Sequence, residues 1–382
     1  MRSLLIHVSK DSLSTALQAA LKAISANSSS RVLSAIHIQA QAEGLTLTAS
    51  NIRMTIEYKL PVKMDSMIVH KPGEIVVPAR YFYEIIRKLD PELIRLEIAE
   101  TLILNIQSGN IQFRLCGMDT AEFPRIHYVD HPNTQKIRMK NTLLKQIFKH
   151  VVFAVSSLET RPVLTGVSLQ IDNQNIRVVA TDGIRLAQHV VETVEDYGAS
   201  PLNVIIPGST LEDLLKIIND DEGSSIQIEI GQKQIRFISD GLRVQSALLE
   251  GTYPYVDNLI PQVYISEMIV KTERLLRVVE RIAILAGESV TLGVYPSGIL
   301  HLISRTADVG EAKEEIPLEY LEGEYFRVAF NGKYFRDILR AIDSDTLRIR
   351  FAGKERPLVI QPVDMTSSTL FLITPMRTQD GG

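Results

Sequence analysis

Apolar and polar residues alternate along most of this chain, the pattern of half-buried strands. Six stretches switch to helical spacing: 10–26, 78–89, 138–150, 207–219, 271–286 and 332–342. In the first, Leu13, Leu17, Ala20, Leu21 and Ile24 fall on one face, and Ser12 or Asp11 can cap it. The strand patterns AIHIQA, LTLTAS and MTIEYKL follow, with Gly44 between the first two as a hairpin turn requires. EIVVPARYFYEIIRKLD then runs a strand into a helix. Pro78 stands at the helix start, where a missing N–H costs nothing. LIRLEIAE, LILNIQ and IQFRLCG complete this third, the last two joined through Ser108-Gly109-Asn110.

The same order recurs twice. The strand-to-helix junctions VVPARYFYEIIRKL, VIIPGSTLEDLLKII and VAFNGKYFRDILRAI align, with Pro78, Pro207 and Asn331 in equivalent places. A period of roughly 130 residues is too long for a solenoid repeat, so each copy reads as a whole domain. Pro132 and Asn133 mark one boundary, Pro261 and Gln262 the other, giving domains 1–130, 131–262 and 263–382. Two helices and about eight consecutive antiparallel strands per domain make the fold class α+β.

Composition narrows the function. Of the 382 residues 45% are hydrophobic and 23% charged, which excludes disorder for the bulk of the chain. No apolar run approaches the roughly 18 residues of a membrane span, and MRSLLIHVSKDSL is too short in apolar residues for a signal peptide. A single cysteine, Cys116, excludes an intramolecular disulfide and predicts a packed side chain within a strand. A cytoplasmic protein is the expectation.

Motifs of reactive chemistry are missing. The sequence holds no GxxxxGK[ST], GxGxxG, HExxH or GxSxG. His127 and His131 are four apart, but prolines beside them argue against a shared helix face, and the other six histidines are scattered singly. Asp182 and Arg185 in ATDGIRLA lack a base partner, and Asp-Gly is first of all a turn.

Charge is unevenly placed. The net charge is −4, yet the six helical stretches sum to +10 and the remainder to −14. Such a split suits a protein that meets a polyanion on one surface, although Lys and Arg are also simply good helix formers. Arg138, Lys140, Lys145, Lys149 and His150 cluster about one helix. Arg274, Arg277 and Arg281 share a face of another, and Lys333, Arg336 and Arg340 do so on a third. Arg87 and Lys88 close a helix whose dipole they complement. No base-reading motif accompanies them, so contact with phosphates is what remains.

Four stretches carry a family resemblance: RPVLTGVSL (161–169), ATDGIRLA (180–187), EGTYPYVDNLIP (250–261) and LITPMRT (372–378), with ERIAIL (280–285) in support. With them the whole chain resembles the beta subunits of bacterial DNA polymerase III, the sliding clamps. The resemblance implies a non-catalytic processivity factor without cofactor or metal. It implies two protomers joined head to tail in a closed ring of six similar domains, helices facing duplex DNA and sheets outside. The partners implied are the polymerase alpha subunit, clamp-loader subunits and other proteins with a clamp-binding peptide motif, and no membrane. Carried over by motif, the peptide groove comprises Leu164, Thr181, Gly183, Arg185, Leu186, Pro254, Leu259, Leu372, Ile373, Pro375, Met376 and Arg377. Leu164, Leu186 and Leu372 are equally at home in a plain core. The DNA side takes Lys145, Lys149, Arg274, Arg277, Arg281, Arg336 and Arg340. The dimer contact takes Phe113 and Leu115 on the edge strand IQFRLCG, against Ile284 and Leu285. The pattern departs from the family at Asn258, where some members have Arg, at Thr374, and in the QDGG tail. A three-domain nuclease, or a scaffold that binds no DNA, are the rival classes; the first lacks a carboxylate cluster or phosphate loop.

Overall fold

The computed structural model describes all residues except 1–3, 25–29, 64–65, 101, 125–133, 173–174, 193–200, 222, 286–288, 296, 307–308, 364–367 and 377–382. His127, His131, Pro132, Asn133, Arg377 and the QDGG tail therefore lie outside the described residues. Six α-helices are present among those described: α1 (Lys10–Ala20), α2 (Ala79–Lys88), α3 (Asn141–Lys149), α4 (Gly208–Ile217), α5 (Thr272–Ile282) and α6 (Gly332–Ala341). All six helical stretches of the sequence are realised, each shorter than its pattern. Ser9 caps α1 in place of Ser12 or Asp11, its Oγ accepting the Ser12 N–H at 3.3 Å. Asn331 caps α6 through Oδ1 and the Tyr334 N–H at 3.1 Å.

The chain forms two compact units. One comprises Met1–Thr142 with Glu212–Leu248, the other Leu143–Leu211 with Leu249–Gly382. In the first unit, an eight-stranded antiparallel sheet joins strands of the first and second sequence repeats. Leu242–Ala247 pairs with Met54–Pro61. A five-stranded sheet ends on the strand Ile111–Cys116, whose outer edge has no neighbour among the described strands. In the second unit, a nine-stranded sheet joins the second and third repeats through Arg185–Glu192 and Ser368–Ile373. A four-stranded sheet, Gly310–Pro317, Ile299–Thr306, Ser289–Tyr295 and Phe326–Asn331, completes it.

Alternation dictates much of this arrangement, since many strands bury one face and the helices help to cover it. Leu275, Val278, Val279 and Ile282 of α5 and Phe335, Ile338 and Leu339 of α6 are buried. Each such side chain is worth about 1.5–3 kcal/mol of apolar burial. Gly44 is required by geometry. It opens the strand Gly44–Ser50 at φ +152°, and a Cβ there would lie 2.0 Å from the Leu60 carbonyl oxygen.

Three expectations need correction. Arg138 and Lys140 are not helical. They lie on the strand Gln135–Lys140, whose Ile137 and Met139 point inward while the cations point out. Cys116 is exposed, because its strand is the sheet edge with almost no cover on either face. The described histidines are not all single. His7 Nδ1 lies 2.9 Å from His70 Nε2, and the fully buried rings of His150 and His189 stand 4.7 Å apart.

The buried pair makes the second unit acid-sensitive. His189 Nδ1 lies 2.7 Å from Thr369 Oγ1, and His150 Nε2 is 3.7 Å from Asp343. Burial pushes His189 down to about 4 and lowers His150 as well, the nearby Asp343 only partly opposing it. A folded-state pKa below the unfolded value of about 6.5 means that the unfolded chain binds more protons as pH falls. The stability is whole above pH 6.5 and drains as pH drops toward 4. Between pH 7 and pH 5, urea melts should show a loss of about 2 kcal/mol from His189. His189→Gln should flatten that dependence; an equally steep loss in the variant would rule the pair out as its source.

Candidate functional site

The first candidate site is built in the second unit on the turn between strands Asn175–Thr181 and Arg185–Glu192. Asp182 Oδ1 accepts the N–H groups of Ile184 and Arg185, both at 2.9 Å, which closes an Asx turn. Gly183 takes φ +93° with open space where a side chain would stand. Thr181 Oγ1 donates to the Arg185 carbonyl at 2.6 Å and accepts the Gly183 N–H at 3.1 Å. Register then places Arg185 opposite Ile373 and Leu186 opposite Leu372. Leu186 and Leu372 join Val179, Val256, Val359 and Leu370 in one buried cluster, with Tyr253, Ile260 and Tyr264 packed on it.

The segment Tyr253–Leu259 is fastened beside this cluster. Tyr253 Oη accepts the Thr181 N–H at 3.0 Å, and burial raises the Tyr253 hydroxyl pKa, keeping it a neutral phenol. Arg177 forms an ion pair with Asp257 and donates to Gln188 Oε1 at 2.7 Å. The short turn Asp257–Leu259 is thereby held with Leu259 51% exposed. Pro254 is exposed too. Ile184 and Tyr255 add apolar surface that the sequence pattern did not single out; an apolar residue inside a turn was the available signal.

Burial separates the groove residues by role. Leu164, Leu186, Leu372 and Ile373 are core residues, with Leu164 in the turn Pro162–Thr165 outside the cluster named above. Arg185 is only 8% exposed. It donates to Asp182 Oδ2 at 3.0 Å and to Asp337 Oδ2 of α6 at 2.8 Å, and its guanidinium lies 4.2 Å over the Tyr334 ring. Its charge is therefore satisfied from within, which makes it a tie between the turn and α6.

The last strand does not release the chain at Pro375, although proline has no N–H to donate. The Thr374 N–H still reaches the Ile184 carbonyl at 2.9 Å. The Met376 N–H then donates to the Ala329 carbonyl at 2.7 Å, so Pro375 bridges two sheets.

A second candidate surface is cationic. Lys271, Arg274, Arg277, Arg281 and Arg340 line a cleft of about 870 Å³ with Glu273, Glu314, Glu315, Asp343 and Asp345. Arg281 forks onto Glu314 at 2.8 and 2.6 Å, which holds that carboxyl below its ordinary range. Arg340 meets Glu280 at 2.7 Å, Arg277 pairs with Glu273, and Lys149 meets Asp343 at 2.6 Å. Arg336 lies 3.8 Å from Asp337, and Lys145 is half-buried. Arg274 is exposed without an ionic partner among the described residues.

A third candidate surface is the edge strand Ile111–Cys116 of the first unit. Phe113 is 41% exposed and Leu115 half-buried. In the second unit, Ile284 is 79% exposed just beyond α5, and Leu285 packs beside Gly310 on the edge strand of the four-stranded sheet.

Known proteins give this arrangement its context. Three segments match the family models of the DNA polymerase III beta subunit: residues 4–127 the N-terminal domain, 138–255 the central domain and 257–377 the C-terminal domain. The chain belongs to the DNA polymerase III beta subunit family. It is 34% identical to the beta sliding clamp of Halalkalibacterium halodurans over 94% of this chain and 95% of that protein. It is 33% identical to that of Bacillus subtilis, over 97% of this chain and 99% of the relative. The crystal structure of the Bacillus subtilis DNA polymerase sliding clamp superposes with a TM-score of 0.89, covering 98% of this chain and 99% of that one. This protein is accordingly a processivity clamp for DNA polymerase, non-catalytic like its relatives, with the three-domain sliding-clamp fold. Among the described residues, no group of three or more metal-ligating side chains occurs and no helix is long and apolar enough to cross a membrane.

Proposed function

We propose that two copies of this clamp close head to tail into a ring around duplex DNA in the cytoplasm, and that the ring tethers the polymerase. Domains 1–130, 131–262 and 263–382 would each appear twice around the ring. The observation that carries this reading is the exposed apolar edge Ile111–Cys116, a strand with unspent hydrogen bonds in a protein of the sliding-clamp family. Its complement is another exposed edge, Gly310–Pro317, with Phe113 and Leu115 covering Ile284 and Leu285. Two different patches on one protomer make a heterologous contact, which closes when its rotation fits.

Lys145, Lys149, Arg274, Arg277, Arg281, Arg336 and Arg340 would face the DNA and meet phosphates without reading bases. The groove beside the Asp182 turn would receive a short extended peptide from the polymerase alpha subunit, from clamp-loader subunits or from other proteins carrying the clamp-binding motif. Exposed Leu259 and Pro254 and half-buried Met376 supply its apolar walls over the buried Leu164, Leu186, Leu372 and Ile373. Thr181, Gly183 and the tied Arg185 fix the turn, with Arg377 following Met376. Loading the clamp onto nicked circular and linear plasmids tests the ring. It should remain on the circle through gel filtration and run off once the circle is cut. Equal loss from both forms would overturn the reading.

A further inference from the structure

Three arginines on the cationic surface are already occupied. Arg277 rests on Glu273 four residues before it, Arg340 on Glu280 across α5 and α6, and Arg281 on Glu314 of the edge strand. All three arginine side chains are more than half exposed, at 66%, 55% and 55%, so each can swing outward without uncovering core. Arg274, on α5 with Arg277 and Arg281, holds no carboxylate among the described residues.

We propose that Glu273, Glu280 and Glu314 tune the DNA face: they hold these arginines between phosphate encounters and keep the intrinsic affinity for DNA low. This rests on the reading that α5 and α6 face the duplex. An arginine that leaves a carboxylate for a phosphate exchanges one charge-assisted hydrogen bond for another, so the net gain is small. The carboxylate it leaves then faces the phosphates and repels them. A pre-paired arginine thus binds DNA weakly and lets go readily, whereas Arg274 contributes a full phosphate contact. A closed ring is held by topology, so low affinity does not cost it the DNA, and short-lived contacts leave it free to slide. The pairs lie where the chemistry requires. Two of the carboxylates belong to α5 itself, and the third belongs to the strand against which Arg281 forks.

The triple variant Glu273→Gln, Glu280→Gln, Glu314→Gln keeps side-chain size and removes the three holding charges. Its affinity for a fluorescent duplex with free ends, measured by anisotropy between about 50 and 200 mM salt, should rise about tenfold or more. The slope of log affinity against log salt should steepen, by up to about one per arginine set free. A control with the same change in net charge, Glu43→Gln, Glu322→Gln, Glu324→Gln, uses exposed carboxylates outside these pairs and should move little. Unchanged affinity and slope in the first variant, or an equal rise in the control, overturns the proposal. Should the triple variant fold poorly, Glu280→Gln alone should raise affinity about twofold, and no rise would be equally decisive. Retention of the unaltered protein on nicked circles reports separately on whether it encircles DNA at all.

Discussion

Phe113→Ala combined with Leu115→Ala should turn a dimer into monomers at micromolar concentration. Both side chains lie on the edge strand Ile111–Cys116, beyond which the sheet has no further strand among the described residues. Buried anchors of this kind cost about 2 kcal/mol or more each when truncated at an interface. A head-to-tail ring of two protomers contains the contact twice, so dissociation loses the anchors twice. The sum is on the order of 8 kcal/mol, close to a millionfold in dimer affinity. Folding should survive, because Phe113 is 41% exposed within the protomer and its removal opens no cavity. Sedimentation at about 5 μM should then show a monomer with an unaltered melting temperature, and retention on nicked circles should vanish. An unchanged dimer would remove this edge from the interface.

The order of strands and helices was legible because nearly every element shows its one-sided burial in its own residues. The pattern MTIEYKL reads as a strand and TERLLRVVERI as a helix without reference to anything distant. It failed where a neighbour in space decides the outcome. Residues 138–140, RMK, looked like the start of a basic helix because NTLLKQIFK follows without punctuation. Pairing with Ser225–Ile230 makes them part of a strand. Cys116 looked packed because its strand alternates, but a strand at a sheet edge can leave both faces open.

The candidate surfaces were legible in residue type and not in charge state. Basic helix faces could be counted, whereas their partners could not be seen. Glu314 is 33 residues from Arg281, Glu280 is 60 from Arg340, and Asp337 is 152 from Arg185. Glu273 and Arg277, four apart on α5, and Glu84 and Arg87, three apart on α2, do fall within reach of a sequence rule. The same holds for His150 and His189, which the fold brings into ring contact from two separate elements. Sequence periodicity thus reports which side of an element is wet, and tertiary contact decides which charges remain unspent there.

Removal of residues 374–382 should abolish binding of a clamp-motif peptide and leave the ring on DNA. The strand Ser368–Ile373 is paired on both sides, to Arg185–Glu192 and to Leu358–Pro362, so the sheet keeps its last strand without the tail. What the deletion takes away is the Thr374 N–H bond to Ile184, the Met376 N–H bond to Ala329, and the half-buried Pro375 and Met376 side chains. An extended peptide with a Gln and one or two Leu or Phe anchors would lose one wall of its groove. Loss of hot-spot contacts of about 3 kcal/mol lowers affinity about a hundredfold or more. Fluorescence anisotropy of a labelled peptide and retention on nicked circles, measured on one preparation, separate the two activities. Peptide affinity as strong as before would place the partner site elsewhere. Leu259→Ala guards against a folding artefact. That side chain is 51% exposed, so its truncation costs little stability, yet as the outer wall of the groove it should weaken the peptide about tenfold. If full affinity persisted in the Leu259 variant, the segment Tyr253–Leu259 would not be part of the groove, whatever the tail deletion does.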